Sequence, residues 1–293
     1  MEIFGVPSAL LGSQLLVGLI NGSFYAILSL GLAIIFGLLN IINLTHGAQY
    51  MMGAFVAWIA LNKLGINYWV ALLFAPIVIG ALGVLIERTM LRKLYKLDHL
   101  YGLLLTFGLA LIFEGIFRDQ YGISGQSYPV PELLQGGVNL GFMFLPIYRG
   151  WVVVAALTVC FATWFVIEKT KLGAYLRAGT ENAQMVQALG INVPLLITFT
   201  YGFGVALAAF AGVLAAPVYQ VSPLMGSNLI IVVFAVVVIG GMGSIMGSIL
   251  TGLGLGLIEG LTRVFYPEAS AVVVFVIMVI VLLVRPAGLF GKA

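Results

Sequence analysis

Charge is what this sequence has least of. Only 8% of its 293 residues are Asp, Glu, Lys or Arg, against 62% hydrophobic, whereas a soluble globular domain carries about a quarter charged. Residues 3–62 contain none of the four charged types, and neither do residues 182–258. A chain so poor in charge cannot keep a folded surface wet on all sides, which excludes a soluble domain.

Histidine and cysteine are nearly missing too. His46 and His99 fall in different loops and Cys160 stands alone in an apolar run, which excludes an intramolecular disulfide and leaves no metal-ligating cluster. Ten acidic residues, most at the ends of apolar tracts, do not assemble a nucleophile, base and orienting group, so no enzyme and no catalytic residue is expected. The phosphate-binding pattern of P-loop ATPases is absent, the only Gly-Lys being Gly291-Lys292 before Ala293; the chain is expected to carry no nucleotide chemistry of this kind. Met1–Pro7 holds Glu2 and no basic residue, unlike the head of a secretory signal peptide, so the first apolar tract is read as a retained span. The net charge of +3 sits in short loops beside apolar tracts, a topology signal and not a nucleic-acid surface.

What is present is a series of apolar tracts. About 20 mostly apolar residues cross roughly 30 Å of hydrocarbon, and candidates lie near 9–38, 45–62, 68–87, 100–118, 150–168, 194–217, 228–243, 245–262 and 270–284. The first is long enough for one tilted helix or two pieces, and 228–262 reads as two spans or a pair broken around Gly240-Gly241-Met242-Gly243. The expected fold is all-α, a polytopic membrane bundle of about eight to ten spans forming one domain over 1–293. Arg88, Arg92, Lys93 and Lys96, then Lys169, Lys171 and Arg177, then Arg285 and Lys292 mark three cytoplasmic regions by the positive-inside rule. That leaves 119–149, 218–227 and 263–269 external and Gly240–Gly243 near the inner face. The side on which Met1 lies stays open.

Small residues recur at every fourth position as Gly240, Ser244, Ser248, Gly252, Gly256 and Gly260. Thr200, Gly204, Ala208, Gly212 and Ala216 form a second stripe, and Gly18, Gly22 and Ala26 a third. Such stripes let helix backbones approach in lipid and are read as intrachain packing; a subunit interface or pore-lining face is the alternative. Glu114 with Arg118, and Glu259 with Arg263, are spaced i, i+4, read as pairs that tie off helices near the interface; a proton or substrate role is the competing reading. Asn40-Ile41-Ile42-Asn43-Leu44-Thr45-His46-Gly47 is dense in hydrogen-bonding groups. Within the bilayer it would line a path, with Asn21 beside Asn43, Thr45, His46 and Gly47 as candidates; at the surface, Thr45 would be an N-cap, and the cap reading is preferred.

A water-compatible stretch, Gly179 to Pro194, interrupts the later tracts. Thr180 suits an N-cap, Glu181 a first turn, and Gly190 a left-handed cap. About ten helical residues extend only about 15 Å, half a bilayer, so this helix cannot cross. Ala183, Met185, Val186, Ala188 and Leu189 make an apolar face opposite Glu181, Asn182, Gln184 and Gln187. The polar face lacks the Lys and Arg that would hold it to anionic lipid, and a short docking helix is a handle for a partner protein; a surface helix packing on its own protein is the competing reading.

At this point the chain resembles the permease subunits of ABC importers for branched-chain amino acids, in blocks that run nearly its whole length. They include GLINGSFYAILSLGLAIIFGLLNIINLTHGAQYMMGAF at 18–55, IER at 86–88, LGAYLRAGTENAQMVQALGINV at 172–193, ALAAFAGVLAAPVY at 206–219, VVIGGMGSIMGSILTGLGLGLIEGL at 237–261 and LLVRPAGLFG at 282–291. The resemblance implies an importer permease of the branched-chain amino-acid/ribose type, with a cytoplasmic coupling loop at about 169–193 in which Thr180 to Gly190 seat in a cleft of the ATPase. Where that family reads Ile-Asn-Phe-Ala-His-Gly, Asn43, His46 and Gly47 match while Leu44 and Thr45 depart.

The resemblance implies partners: a second homologous permease, two cytoplasmic ATPases holding the ATP and magnesium that this chain lacks, and an external solute-binding protein. It implies leucine, isoleucine, valine or a related small amino acid as cargo, with urea or short amides as the superfamily alternative, and a bacterial inner membrane as the site. An ion-coupled carrier or channel, using Glu114 or Glu259, is the competing class.

Overall fold

With no water in the hydrocarbon to satisfy backbone groups, an apolar tract must form its hydrogen bonds internally, and a helix does this within one segment. The computed structural model describes residues 2–3, 6–39, 42–95 and 97–291; the expectations placed on Met1, Asn40, Ile41, Lys96 and Lys292 fall outside them. Its helices are α1 (Ser8–Leu39), α2 (Thr45–Leu64), α3 (Tyr68–Thr89), α4 (His99–Tyr121), α5 (Ile147–Lys169), α6 (Lys171–Glu181), α7 (Ala183–Ala188), α8 (Val193–Ala215), α9 (Met225–Gly240), α10 (Ile245–Phe265) and α11 (Val273–Val284). Two short antiparallel ribbons accompany them: β1 (Glu2–Ile3) with β2 (Val6–Pro7), and β3 (Gly137–Asn139) with β4 (Phe144–Pro146), the latter in register Val138 to Leu145.

Six of the described helices, α1, α3, α4, α5, α8 and α10, are long and apolar enough to cross a membrane. The 20-residue α2 and the shorter apolar α9 and α11 complete the set. The protein is a polytopic helical bundle. The first tract is one helix: the 32 residues of α1 extend about 48 Å, so it spans with length to spare. The later pair is broken, α9 ending at Gly240 and α10 starting at Ile245, with Gly241 and Gly243 at φ 99° and 84° in the turn between.

Polar side chains sit where the helices begin. The Val70 amide donates to Asn67 at 3.0 Å, Leu100 to Asp98 at 2.9 Å, Leu195 to Asn192 at 3.1 Å and Gly247 to Ser244 at 3.1 Å, each satisfying an orphan first-turn donor.

The chain divides into two compact units. The first comprises Met1–Ser29, Pro129–Cys160 and Val232–Ala293. Here α1 and α10 meet through glycine: a Cβ on Gly18 would stand 2.5 Å from the Gly256 carbonyl oxygen, and one on Gly22 would stand 3.0 Å from the Leu253 Cα. Hydrogen bonds lock the same seam, Tyr25 donating to Glu259 at 2.8 Å and Ser29 to the Ser248 carbonyl at 3.2 Å. Glu259 is also ion-paired with Arg263. The stripe begins later than its spacing suggests, because Gly240 ends α9 and Ser244 caps α10; only Ser248, Gly252, Gly256 and Gly260 ride on the helix.

The second unit comprises Leu30–Tyr128 and Phe161–Ile231. At its centre α8 packs on α2 and α3. Small residues again permit this: a Cβ on Gly53 would overlap the Ala209 backbone, one on Gly212 the Tyr50 carbonyl, and one on Gly80 would stand 3.1 Å from the Gly202 carbonyl oxygen. Trp58, Tyr121, Tyr68, Trp69 and Tyr128 form ring contacts around the C-terminal ends of α2 and α4 and the start of α3, the composition of an interfacial aromatic belt. Burial, with Tyr68 beside it, pushes the Tyr128 phenol up to about 12.

Candidate functional site

Two features of the second unit bear on function, a protruding helical segment and a cavity beside buried polar side chains. The segment is α6 and α7. Thr170 and Asn182 break the chain on either side of α6, which is held by Leu176, by Arg177 donating to the Ile167 carbonyl at 3.1 Å, and by the Arg177–Glu168 ion pair at 3.5 Å. Gly173 lies so close to the Ile167 carbonyl that a Cβ there would overlap it.

The helix that follows starts later than the composition suggests. Thr180 is not its cap: its hydroxyl donates to the Arg177 carbonyl at 2.7 Å, inside the last turn of α6, and Glu181 closes that helix. Asn182 is the cap, accepting from the Met185 amide at 3.0 Å, and α7 runs for only 6 residues. Gly190, at φ 86°, takes the left-handed conformation expected of it. Of the apolar face, Val186 turns inward and is buried, whereas Met185 and Leu189 are 65% and 76% exposed; Ala188 is exposed and Ala183 half-buried. Directly after it, Asn192 caps α8 and Val193 is buried, so α7 leads into the central helix through a short turn and contacts it. Changing Asn182 to Ala should destabilise this turn by about 1 kcal/mol and speed proteolysis across 183–189 in the purified protein, while Thr180→Ala leaves that rate unchanged.

The stretch at the start of α2 is buried in the protein; His46 falls in the first turn as the cap reading expects, but Thr45 is not the cap. Asn43, Thr45, His46 and Gln49 are each 1% exposed or less. Thr45 donates to the Thr106 carbonyl at 2.7 Å, and Thr106 donates to Ile42 at 3.1 Å, so Thr45 is no N-cap. Its partner, Thr106, lies seven residues past His99, the first of α4, roughly 10 Å along the helix, so the start of α2 packs beside the body of α4 and not its end. Asn43 donates to Gln49 at 3.3 Å, and Tyr201 of α8 lies beside both. Among the described residues the buried Gln49 amide nitrogen and Tyr201 hydroxyl meet no partner at full hydrogen-bond geometry, although Tyr201 lies close enough to Gln49 and Asn43 to interact with both. Asn21, named as a path candidate, is half-buried on the first unit's stretch of α1.

A cavity of about 400 Å³ opens beside this stretch. Leu44, Gly47, Ala48 and Met51 line it from α2, Phe107, Ala110, Leu111 and Glu114 from α4, and Gly226, Ser227 and Ile230 from α9. Both of the first two sets follow i, i+3, i+4, i+7, one face of a helix. Gly47 is required where α2 meets α9, since a Cβ would stand 2.7 Å from the Gly226 carbonyl oxygen. Glu114 does not pair with Arg118; the ion pairs among the described residues are Arg177–Glu168 and Arg263–Glu259. Its carboxylate instead accepts from the Ser227 hydroxyl, 113 residues away, which no local spacing reveals.

A third feature escaped the sequence reading. Glu87, 1% exposed near the end of α3, accepts from Tyr95 at 2.6 Å and from Thr198 of α8 at 2.7 Å. Burial first, then the Glu87 carboxylate, raise the Tyr95 phenol above its ordinary value, which keeps it a donor. This bond set fastens the loop after α3 to the first turns of α8. The only local signal was an acid at the end of an apolar tract, in the IER block.

Among the described residues no group of His, Cys, Asp and Glu is placed to hold a metal ion. A family model described as the permease component of branched-chain amino acid transport systems matches residues 14–282. The chain is 33% identical to the high-affinity branched-chain amino acid transport system permease protein BraD of Pseudomonas aeruginosa, over 95% of each chain. It is 30% identical to the corresponding LivH of Salmonella typhimurium, again over 95% of each. LivM of the same organism is 29% identical, with 90% of this chain matched to 67% of that one.

Proposed function

The chain belongs to the family of permease components of branched-chain amino acid transport systems, and from that premise we propose that it is the membrane subunit through which an ABC importer moves leucine, isoleucine and valine inward. The names of its relatives favour these substrates over urea or amides. It is a multi-pass protein of the inner membrane. Similarity to both LivH and LivM, two permeases of one organism, supports pairing with a second, homologous permease. Two ATPases on the cytoplasmic side and a solute-binding protein outside complete the proposed assembly, with ATP and magnesium held by the ATPases. Because α1, α5 and α9 each contribute residues to both compact units, we treat residues 1–293 as one permease domain, with 169–193 as the coupling segment and 119–149 as the external loop.

One observation carries the reading: α7 is too short to span, packs on α8, and leaves Met185 and Leu189 unsheltered at 65% and 76% exposure. An ATP-driven importer subunit that carries no P-loop takes its drive from a separate ATPase, and two exposed apolar side chains beside a packed helix suit a groove on such a motor. In the mechanism, ATP-dependent closure of the ATPases displaces α7 and with it α8. Packed on α2 and α3 and pinned by the Glu87–Thr198 bond, α8 moves the start of α2, which lines the cavity.

The experiment is uptake by the purified complex in vesicles. Leucine should enter only with ATP on the ATPase side and binding protein on the other, and a protonophore should have no effect. Uptake by this chain alone, abolished by a protonophore and indifferent to ATP, would replace the importer with an ion-coupled carrier.

A further inference from the structure

We propose that the cavity between α2, α4 and α9 is a transit site for an aliphatic amino acid, with Glu114 and Ser227 receiving its ammonium group. The proposal rests on the importer reading above and adds the place and chemistry of the substrate. Its volume of about 400 Å³ falls within the roughly 300–1,000 Å³ of small-ligand sites. The walls suit a branched hydrocarbon: Leu44, Met51, Phe107, Leu111 and Ile230 surround a floor opened by Gly47 and Ala110.

Polar chemistry is confined to one edge. Among the lining residues Glu114 is the only ionisable one, and Ser227 the only hydroxyl. A carboxylate accepts hydrogen bonds and donates none, and four acceptor positions exceed the single bond that Ser227 supplies. No Lys, Arg or His lines the cavity, so the charge that complements Glu114 comes from the occupant. An ammonium group carries three donors and meets that need, whereas a fatty acid or a neutral amide does not. Glu114 lies eight residues beyond Thr106 along α4, about 12 Å further from the end that holds His99. Within an apolar helix of span length, a carboxylate answered only by a hydroxyl is costly, which marks it as a functional group.

The remaining lining explains how such a site communicates with the motor. Leu44 is the N-cap residue just before α2 and Gly47 lies in its first turn, and α2 packs directly on α8, the helix joined to α7. A shift of α8 therefore changes the wall of the cavity. Ser227, on the first turn of α9, rides against Gly47 through the Gly226 contact, so displacing α2 also moves one of the two groups that receive the ammonium.

The test uses the whole complex in vesicles, with binding protein loaded with leucine. Glu114→Gln keeps shape and loses charge; it should reduce the maximal rate of leucine uptake about 10- to 100-fold while ATP hydrolysis stimulated by binding protein is retained. Glu114→Asp should restore part of the rate. Ala110→Phe fills the cavity and should reduce leucine uptake more than valine uptake, a shift that mere loss of stability would not produce. Wild-type rates and selectivity in Glu114→Gln and Ala110→Phe would overturn the proposal. So would an Ala110→Phe complex that loses its second permease on purification, because the cavity would then be filled by that subunit. Wild-type vesicles that fail to take up leucine with ATP would overturn the importer reading itself, and the transit site with it.

Discussion

Changing Met185 and Leu189 together to Asp should leave a chain that inserts and purifies normally yet loses ATP-driven uptake by about 100-fold or more. Both side chains are exposed, at 65% and 76%, so neither contributes to the fold of the permease, and surface changes of this kind cost little stability. At an interface the same two residues are anchors, and burying two unpaired carboxylates in an apolar groove costs several kcal/mol. The measurement has three readouts: the amount of folded permease, the ATPase that stays with it, and leucine uptake. Folded permease should be unchanged while the other two fall together. A matched change at Val186, which is 5% exposed, should instead lower the amount of folded protein, since it strips α7 of its inward anchor.

The second large effect is structural and sits on α10. Gly256→Val should destabilise the helix pair α1–α10 by about 3 kcal/mol, since overpacking typically costs 1–3 and occasionally more. A Cβ at Gly256 would overlap the Gly18 carbonyl and the Gly22 backbone, none of which can swing away as a side chain tip does. Two residues earlier on the same helix, a Cβ on Gly254 meets nothing within 4 Å, so Gly254→Val should be nearly neutral. Thermal unfolding of the two purified variants, followed in parallel, should separate them by about 5 °C or more. Equal loss in both would remove glycine contact as the basis of the seam.

The helices were legible in the sequence because lipid imposes a simple rule, that apolar length equals span. The tract expected at 68–87 became Tyr68–Thr89, and the one at 150–168 became Ile147–Lys169. What local pattern left open was settled by partners far along the chain. Thr180 and Asn182 are both good caps, and it is the fold of α6 through Glu181 that consumes the first and leaves the second free to start α7. The stretch at 43–49 read as a surface cap because its hydrogen-bond partner, Thr106, lies 61 residues beyond Thr45. Glu114 looked like half of a helical ion pair until Ser227, 113 residues on, accounted for its carboxylate. For Glu259 and Arg263 the local pairing did form, because both lie on the last turns of α10, with Tyr25 added from α1. Glu87 is as silent in the local sequence as Glu114, because its partner Thr198 is 111 residues away and nothing near it in the chain announces the bond.

The central claim is that α7 faces the cytoplasm as the handle of a separate motor, and the chain offers a clean probe of it. Its single cysteine, Cys160, is buried, so Leu189→Cys places one reactive thiol on the exposed tip of the segment. A membrane-impermeant maleimide should label that thiol in inside-out vesicles and not in right-side-out cells, and rebinding the ATPase should protect it. Labelling from the outside, or labelling that the ATPase leaves unchanged, would contradict the account.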